Sequence, residues 1–573
     1  MNNLSPISNE SHISLTPREY DEIKDKDDKF NYWNKYAITW FVGLSLLLIT
    51  PLIIGYILDW FLDFNIDNLI IYITLFGFNT LFHFICQIIF SYFDKSTDRK
   101  IKKINLEEFP SVNIQITGWR EDPLLFRKCL ISLKNQNYSN VKQITFCSDG
   151  NDEDDLYLIN IFEEIFQNEA HIVNLSDIGK DLTKQQQNKL FSSLKNKKYI
   201  CFLQPHGGKR HAMYTQLINN IYQKCDYMLL TDSDTIFEED ALLELMKGIN
   251  YYKCNAITGD VQIYNPDNYI GYLVSLRYWF AFNIERSAQS YFGSVSCISG
   301  PFGLYKTDMI SKISNLWINQ TFCHKECTFG DDRHLTNLVF KEQGTVYYTN
   351  NATCYTDTPT QLLRLISQQT RWGKSFFREY LLNLSWFRIK NIWLVYDITF
   401  MLFYPIFLLI ISVVLFLKCE LQIFLVLLTI ILVVSYIRAI YAIIETKDIN
   451  YLLFALYGIF YFLFILPLKP WAMITVNITN WGTGNRMEKS FKNIDILPVG
   501  IWITFCFATF ITSFIKILVK DNYSYNDNIL IITSIIIISN VIILCILYLL
   551  LNKKYKKKVE QKIENIVNEF LIT

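Results

Sequence analysis

The sequence predicts an α/β domain with a largely parallel sheet, set between two groups of membrane-spanning helices. Three observations predict it. Apolar residues gather in long runs toward both ends of the 573-residue chain. The stretch 94–360 between them has the composition of a soluble domain. Within that stretch, apolar segments that read as strands alternate with segments whose apolar residues recur at helical spacing.

Two apolar runs lie near the N-terminus, at 37–60 and 67–93, after a polar tail of residues 1–36. Five more lie at 392–417, 420–444, 451–468, 496–518 and 528–551. A bilayer span needs about 20 such residues. The first run follows a long polar tail and lacks a small-residue cleavage site, so it does not read as a signal peptide. Lys95, Arg99, Lys100, Lys102 and Lys103 follow the second run, whereas the loop between the first two carries Asp63 and Asp67 and no base. Basic residues beside spans stay cytosolic. The tail 1–36, the domain 94–360 and the basic tail 552–573 are therefore expected in the cytosol. An even number of spans must then join domain to tail. Five runs are available, so one of the three between 392 and 468 is expected not to cross.

The chain is formally neutral, with 51% hydrophobic and 16% aromatic residues. No basic stripe suggests nucleic acid. The 13 cysteines are scattered, and a reducing compartment disfavours disulfides. Cys323, His324 and Cys327 lack a second ligand pair at zinc spacing.

Through the soluble domain, Ser111 to Thr117 alternates as a strand. Gly118 to Glu121 turns the chain, and Asp122–Pro123 opens a helix. Val141 to Cys147 is a second strand, ending in Ser148, Asp149 and Gly150. Tyr199 to Leu203 is a third, running into QPHGGKRHAMYT, and Tyr227 to Leu230 runs into Asp232 and Asp234. In such sheets ligands bind beyond the carboxyl ends of the strands. Those ends carry Trp119–Arg120–Glu121, Asp149, His206 to Lys209, and the paired aspartates.

Residues two apart on an extended segment face the same way. Two carboxylates about 5 Å apart repel by about 3 kcal/mol at an effective dielectric near 20. A divalent cation removes that cost, and Mg²⁺ fills the rest of its shell with water and phosphate oxygens. Asp232 and Asp234 therefore suit a metal that holds a diphosphate, although a solvated strand end has the same pattern. GDDRHLT (330–336) places two acids before a helix, which helix-terminus electrostatics alone would also favour. From Leu362 to Phe387 apolar residues are interleaved with Arg364, Arg371, Lys374 and Arg378, the pattern of a helix lying in the membrane interface. That pattern does not explain the grouping of Gln368, Arg371 and Trp372.

TDSDT (231–235), SGPFGLY (299–305), GDDRHLT, QQTRW (368–372) and WGTGNR (481–486) occur in this order. The series resembles the processive family-2 membrane glycosyltransferases, and within them the hyaluronan synthases, including the algal-virus type. GWREDP (118–123), SDGNDEDD (148–155), QPHGGKRHAMYT (204–215) and ERSAQS (285–290) extend the resemblance across about 110–490. It implies a GT-A type, Rossmann-like cytosolic domain between multi-pass transmembrane helices. The organisation would be a transmembrane hairpin at 37–93, the glycosyltransferase domain at 94–360, an amphipathic interfacial helix at 361–391, and a channel region at 392–551.

The resemblance also implies roles. Trp119, Arg120, Glu121 and Asp149 would hold the uridine, Trp119 standing where relatives usually have Tyr. Lys209 would reach the nucleotide or its phosphates. Asp232 and Asp234 would place the diphosphate with Mg²⁺ or Mn²⁺, Asp234 as the direct ligand. Asp332 would be the general base, with Asp331 beside it. Gln368 and Arg371 would meet the nucleotide and its diphosphate, and Trp372 the acceptor sugar. Arg486, following Trp481, would close over the leaving group. Ser299 to Phe302 would line the acceptor path, with Cys297 and Cys327 as packing residues. The expected activity is inverting polymerisation of UDP-GlcNAc and UDP-glucuronic acid onto a growing polysaccharide, exported across the plasma membrane by the same chain. Asp397, early in the third run, either lines that path or sits at the headgroup level. A chitin-type synthase using UDP-GlcNAc alone shares the paired acids and QxxRW. A glycolipid transferase and a non-catalytic export protein are further readings.

Overall fold

The computed structural model describes residues 66–266, 268–383, 392–478 and 493–519, with scattered positions beyond. Its first element, α1 (Ile66–Ile101), is one continuous helix of 36 residues. The apolar run was expected to end at 93, but the helix carries on through the basic segment. Its last turns dock on the soluble domain: Asp94 accepts a hydrogen bond from Ser287 Oγ at 2.9 Å, and Asp98 accepts from the Asn350 amide at 2.8 Å.

The soluble domain opens with β1 (Val112–Gly118), α2 (Pro123–Lys134), β2 (Val141–Asp149), α3 (Leu156–Phe166), β3 (Ala170–Asn174), α4 (Lys184–Ser193) and β4 (Tyr199–Gln204). Then come α5 (Lys209–Gln223), β5 (Tyr227–Asp232), β6 (Ile236–Phe237), α6 (Ala241–Tyr252) and β7 (Ala256–Ile263). The remainder is α7 (Tyr269–Phe280), a π turn at Ala281–Arg286, α8 (Ser287–Ser290), β8 (Gly303–Lys306), α9 (Thr307–Ile318), a small hairpin of β9 (Thr321–Phe322) and β10 (Lys325–Glu326), α10 (Asp331–Lys341) and β11 (Val346–Thr356). Asp122 caps α2 as expected, accepting from the Leu124 and Leu125 amides, with proline at the tolerated first position.

Nine strands form one sheet in the order β3-β4-β2-β1-β5-β8-β7-β11-β6. The first five in that order are mutually parallel. β8 is antiparallel to both neighbours, and β6 is antiparallel to β11. Parallel pairing brings the carboxyl ends of β1, β2, β4 and β5 onto one rim: Thr117 pairs with Asp232, Gly118 with Ser148, and Asp149 with Gln204. β1 is buried on both faces, with Val112, Ile114 and Ile116 on one and the polar Asn113, Gln115 and Thr117 on the other.

Beyond the sheet lie α11 (Leu362–Asn383), α12 (Ile392–Leu417), α13 (Leu421–Thr446), α14 (Phe454–Phe460), α15 (Leu468–Ile474) and α16 (Leu497–Leu518). Among the described residues four helices are long and apolar enough to cross a membrane: Trp393–Leu417, Leu421–Thr446, Ile449–Ile474 and Leu497–Leu518. The third is not regular. It strings together a 3₁₀ turn, α14, a π turn at Tyr461–Ile465, Pro467 and α15. Of the three runs from which one was expected not to cross, it alone is broken.

The amphipathic segment α11 is buried along much of its length, while Leu363 and Trp372 stay exposed. Arg378 and Glu379 are buried, and the helix packs on α10 on one side and α15 on the other. Arg378, one of its four basic residues, donates to the Phe329 carbonyl at 2.6 Å.

Candidate active site

β5 ends at Asp232, and the chain turns through Ser233 and Asp234 toward the edge strand β6. Lys209 opens α5 after Gly208, whose φ of 96° lies outside the range of ordinary side chains. Its Nζ makes an ion pair with Asp232 Oδ1. Burial pushes the Asp232 carboxyl up, Lys209 opposes that, and Asp234 adds to it, leaving the pKa above its ordinary value. The Ser299–Phe302 segment passes close by: a Cβ added at Gly300 would lie 3.5 Å from Asp232 Oδ2 and 3.7 Å from Lys209 Nζ.

Asp149, at the end of β2, is buried and works on its own rim. Its Oδ1 accepts from the amides of Gly207 and Gly208 at 3.0 and 3.1 Å, which shapes the loop before Lys209. His206 Nδ1 lies 3.1 Å from Asp149 Oδ2, and the imidazole stacks on Trp119 with centroids 4.3 Å apart. The Asp149 hydrogen bond holds the imidazolium, raising its pKa to about 9. Trp119 and Glu121 line the cleft. Arg120 does not; its Nε donates to Asp155 Oδ1 at 3.1 Å, within the acidic stretch after Gly150.

The two acids that open α10 have different surroundings. Asp331 Oδ1 takes a hydrogen bond from buried Arg210 Nε at 2.6 Å. Asp332 accepts from the Arg333 amide through Oδ1 at 2.7 Å, and its Oδ2 lies 3.7 Å from Cys297 Sγ. Burial, with Asp332 adding to it, pushes the Cys297 thiol up to about 12, so it is a neutral packing group at pH 7.

From α11, Gln368, Arg371 and Trp372 all border the same cleft. Burial lowers the Arg371 pKa from its ordinary value, against the pull of Asp331, Asp332 and Asp232, which border the same cleft. A network beneath fixes α11 against α10. Glu379 accepts from Gln320 Nε2 at 2.6 Å and from Asn337 Nδ2 at 3.1 Å, and it pairs with His334 at 3.0 Å. Gln320 Oε1 in turn accepts from Arg210 at 3.0 Å, which closes the circuit to Asp331.

The cleft is one cavity of about 910 Å³. It runs from Trp119 and Asp149, past Asp232, Asp234 and Asp332, to Tyr404, Arg438 and Lys469 on the apolar helices. Trp119, Glu121, Asp149, Lys209, Asp232, Asp234, Asp331, Asp332, Gln368, Arg371 and Trp372 are thus brought together, and Arg120 is not. Trp481 and Arg486 lie outside the described residues. Among the described residues no group of three His, Cys, Asp or Glu forms a metal cage by itself. Sequence reasoning missed Arg210, Gln320, His334 and Glu379. Buried charge in mid-helix, such as Arg378–Glu379, was the one signal available.

A family model described as glycosyltransferase like family 2 matches residues 110–375. The chain is 33% identical over 540 residues to hyaluronan synthase 2 of Gallus gallus, covering 92% of this chain and 97% of that one. It is 33% identical over 541 residues to hyaluronan synthase 2 of Homo sapiens, with the same coverage. Hyaluronan synthase 1 of Xenopus tropicalis is 32% identical over 502 residues, 82% of this chain and 84% of that one. Among solved structures, a mannosyltransferase from Pyrobaculum calidifontis in complex with GDP-Man and Mn2+ aligns with 78% of this chain and 100% of its own, at 12% identity and a TM-score of 0.38. Identity of this degree along nearly the whole of both chains, joined to a nucleotide-type rim and apolar helices fit to cross a bilayer, makes this a membrane glycosyltransferase, and the chain belongs to the hyaluronan synthase family.

Proposed function

We propose that the protein polymerises UDP-GlcNAc and UDP-glucuronic acid into hyaluronan from the cytosolic side of the plasma membrane, and exports the product through its own helices. The observation that carries this reading is the single cavity: paired acids, a base candidate and an arginine border it at one end, and apolar helices border the other.

In this reading Trp119, stacked with His206, presents an aromatic face to the uracil. Lys209 and Arg371 meet the diphosphate. Asp232 and Asp234 supply hard oxygen donors. Among the described residues the chain offers too few ligands for a cage, so the set fits a Mg²⁺ or Mn²⁺ ion that completes its shell with phosphate oxygens. Such an ion supplies neutralisation of the charge that builds on the departing UDP. Asp332 accepts the proton of the acceptor hydroxyl as that oxygen attacks the anomeric carbon from the face opposite UDP, which inverts its configuration. Arg371, which borders the cleft, is pre-set where negative charge develops. Trp372, partly exposed at the cleft, offers a stacking face to the acceptor sugar.

The growing chain is polar, and hydrocarbon does not admit it without a protein-lined path. Arg438, Lys469, Tyr404 and Ser435 border the continuation of the cavity among the apolar helices. Polar side chains there favour passage of a saccharide. The test is incubation of purified protein with Mn²⁺ and both labelled UDP-sugars, followed by hyaluronidase. Polymer that needs both sugars and is digested supports the reading. Polymer from UDP-GlcNAc alone supports a chitin-type synthase instead.

A further inference from the structure

Asp397 is the one carboxylate of α12, and it is fully buried. It does not border the cavity. Its Oδ1 lies 2.8 Å from His83 Nε2 and accepts from Gln87 Nε2 at 3.1 Å, both on α1. Its Oδ2 accepts from Gln289 Nε2, on α8, at 2.5 Å. The other end of the Gln289 amide, Oε1, accepts the Ser296 amide hydrogen at 2.9 Å. An ionised carboxylate only accepts and a backbone N–H only donates. The Gln289 amide therefore has one orientation that satisfies both ends.

The segment reached in this way lies beside the base. Ile298 N–H donates to Thr336 Oγ1 at 3.0 Å, and Thr336 Oγ1 donates to the Asp332 carbonyl at 2.8 Å. Cys297 Sγ lies against the Asp332 carboxylate, and Arg286 ties the Cys297 carbonyl and Ser299 Oγ at 3.2 and 3.0 Å. Residues 296–299 are thus held on one side by the helix that carries Asp332, and on the other by a carboxylate in an apolar helix.

We propose that Gln289 and Asp397 are positioning residues for sugar transfer: their hydrogen-bond relay sets the placement of the Ser296–Ser299 segment against Asp332, and so ties the geometry of the reaction to the packing of α1 and α12. The inference rests on the reading of Asp332 as the base. Neither residue touches the reacting atoms. A displacement of the order of 1 Å at a reacting centre costs about 100-fold in rate, so loss of the relay falls on turnover and leaves donor binding in place.

The test uses full-length purified enzyme. Gln289→Leu and Asp397→Asn each lower kcat at least tenfold, with the KM of both UDP-sugars within about twofold of wild type. The double variant Asp397→Asn/Gln289→Glu rebuilds the relay with its polarity exchanged. The new carboxamide at position 397 turns its oxygen to the α1 donors and its NH₂ to the new carboxylate at position 289. The second oxygen of that carboxylate accepts from the Ser296 amide. The double variant recovers kcat to within about threefold of wild type. A second readout follows Cys297 by mass spectrometry: N-ethylmaleimide modifies it faster in Gln289→Leu, and at the wild-type rate in the double variant. Every donor in the double variant keeps an acceptor, so this arm does not depend on a folding defect. Wild-type kcat in the single variants overturns the proposal. So does a double variant that binds UDP as wild type does and polymerises no faster than Asp397→Asn alone. Asp332→Asn is assayed alongside; retained polymerisation there would instead discard the base assignment beneath the proposal.

Discussion

Arg210 Nε and Asp331 Oδ1 are 2.6 Å apart in a buried ion pair, while Asp332, one residue on, faces the cleft and Cys297. Two adjacent carboxylates therefore carry different burdens. Asp332→Asn is expected to lower kcat by about 100- to 10,000-fold, the range general-base catalysis supplies, with UDP affinity within about twofold. Asp331→Asn strands a buried guanidinium, which costs about 3–5 kcal/mol, and is expected to show as a lowered thermal midpoint with residual activity. Single-turnover assays and thermal unfolding on the same preparations separate the two outcomes. Equal kinetic loss in both variants would contradict the division of labour.

The paired acids give a metal-dependent prediction. Asp234→Ala is expected to raise the Mn²⁺ concentration for half-maximal activity at least tenfold, and to leave UDP binding in EDTA unchanged. Asp232→Ala also removes the partner of Lys209, so its UDP binding weakens with and without metal. Titration calorimetry with and without Mn²⁺ reads both.

His206 gives a pH dependence. Its folded pKa of about 9 exceeds the ordinary value of 6.5 because Asp149 holds the proton. A raised pKa means that the stabilisation is complete below pH 6.5, declines above it, and is gone once pH passes about 9. The thermal midpoint of wild type is therefore expected to exceed that of His206→Gln most at about pH 6, and the gap to close by about pH 10. UDP binding through Trp119 is expected to weaken over the same window.

Gly330 precedes the base-bearing helix with φ of 79°, and a methyl group there would run into Ser375 Oγ and lie 2.8 Å from Arg378 Nη2. Gly330→Ala combines left-handed strain of about 1–3 kcal/mol with separation of α10 from α11. The expected result is at least a tenfold fall in activity and a lower thermal midpoint. A variant as active as wild type would show that the spacing of these two helices does not matter.

Much of the rim was legible because it is written locally. Alternation marks β1, a continuous apolar run marks β5, and Asp122–Pro123 marks the start of α2. What was not legible depends on partners far apart in the chain. Nothing local says that β8 will enter antiparallel between β5 and β7, or that Arg210 will meet Asp331 across more than 100 residues. The basic residues of α11 suggested headgroups because spacing reveals which residues share a face but not what covers it. Asp397 was a misfit in an apolar run for the same reason: its three partners lie on α1 and α8.

The unbroken length of α1 has a mechanical consequence. Its 36 residues extend about 54 Å at 1.5 Å per residue, well beyond the roughly 30 Å of a hydrocarbon core. The surplus is not slack, because Asp94 and Asp98 bolt its far end to the sheet domain. The helix is therefore a stanchion fastened at its far end to the sheet domain. Adding a single residue between 90 and 94 would swing that bolted end by about 100° around the shaft.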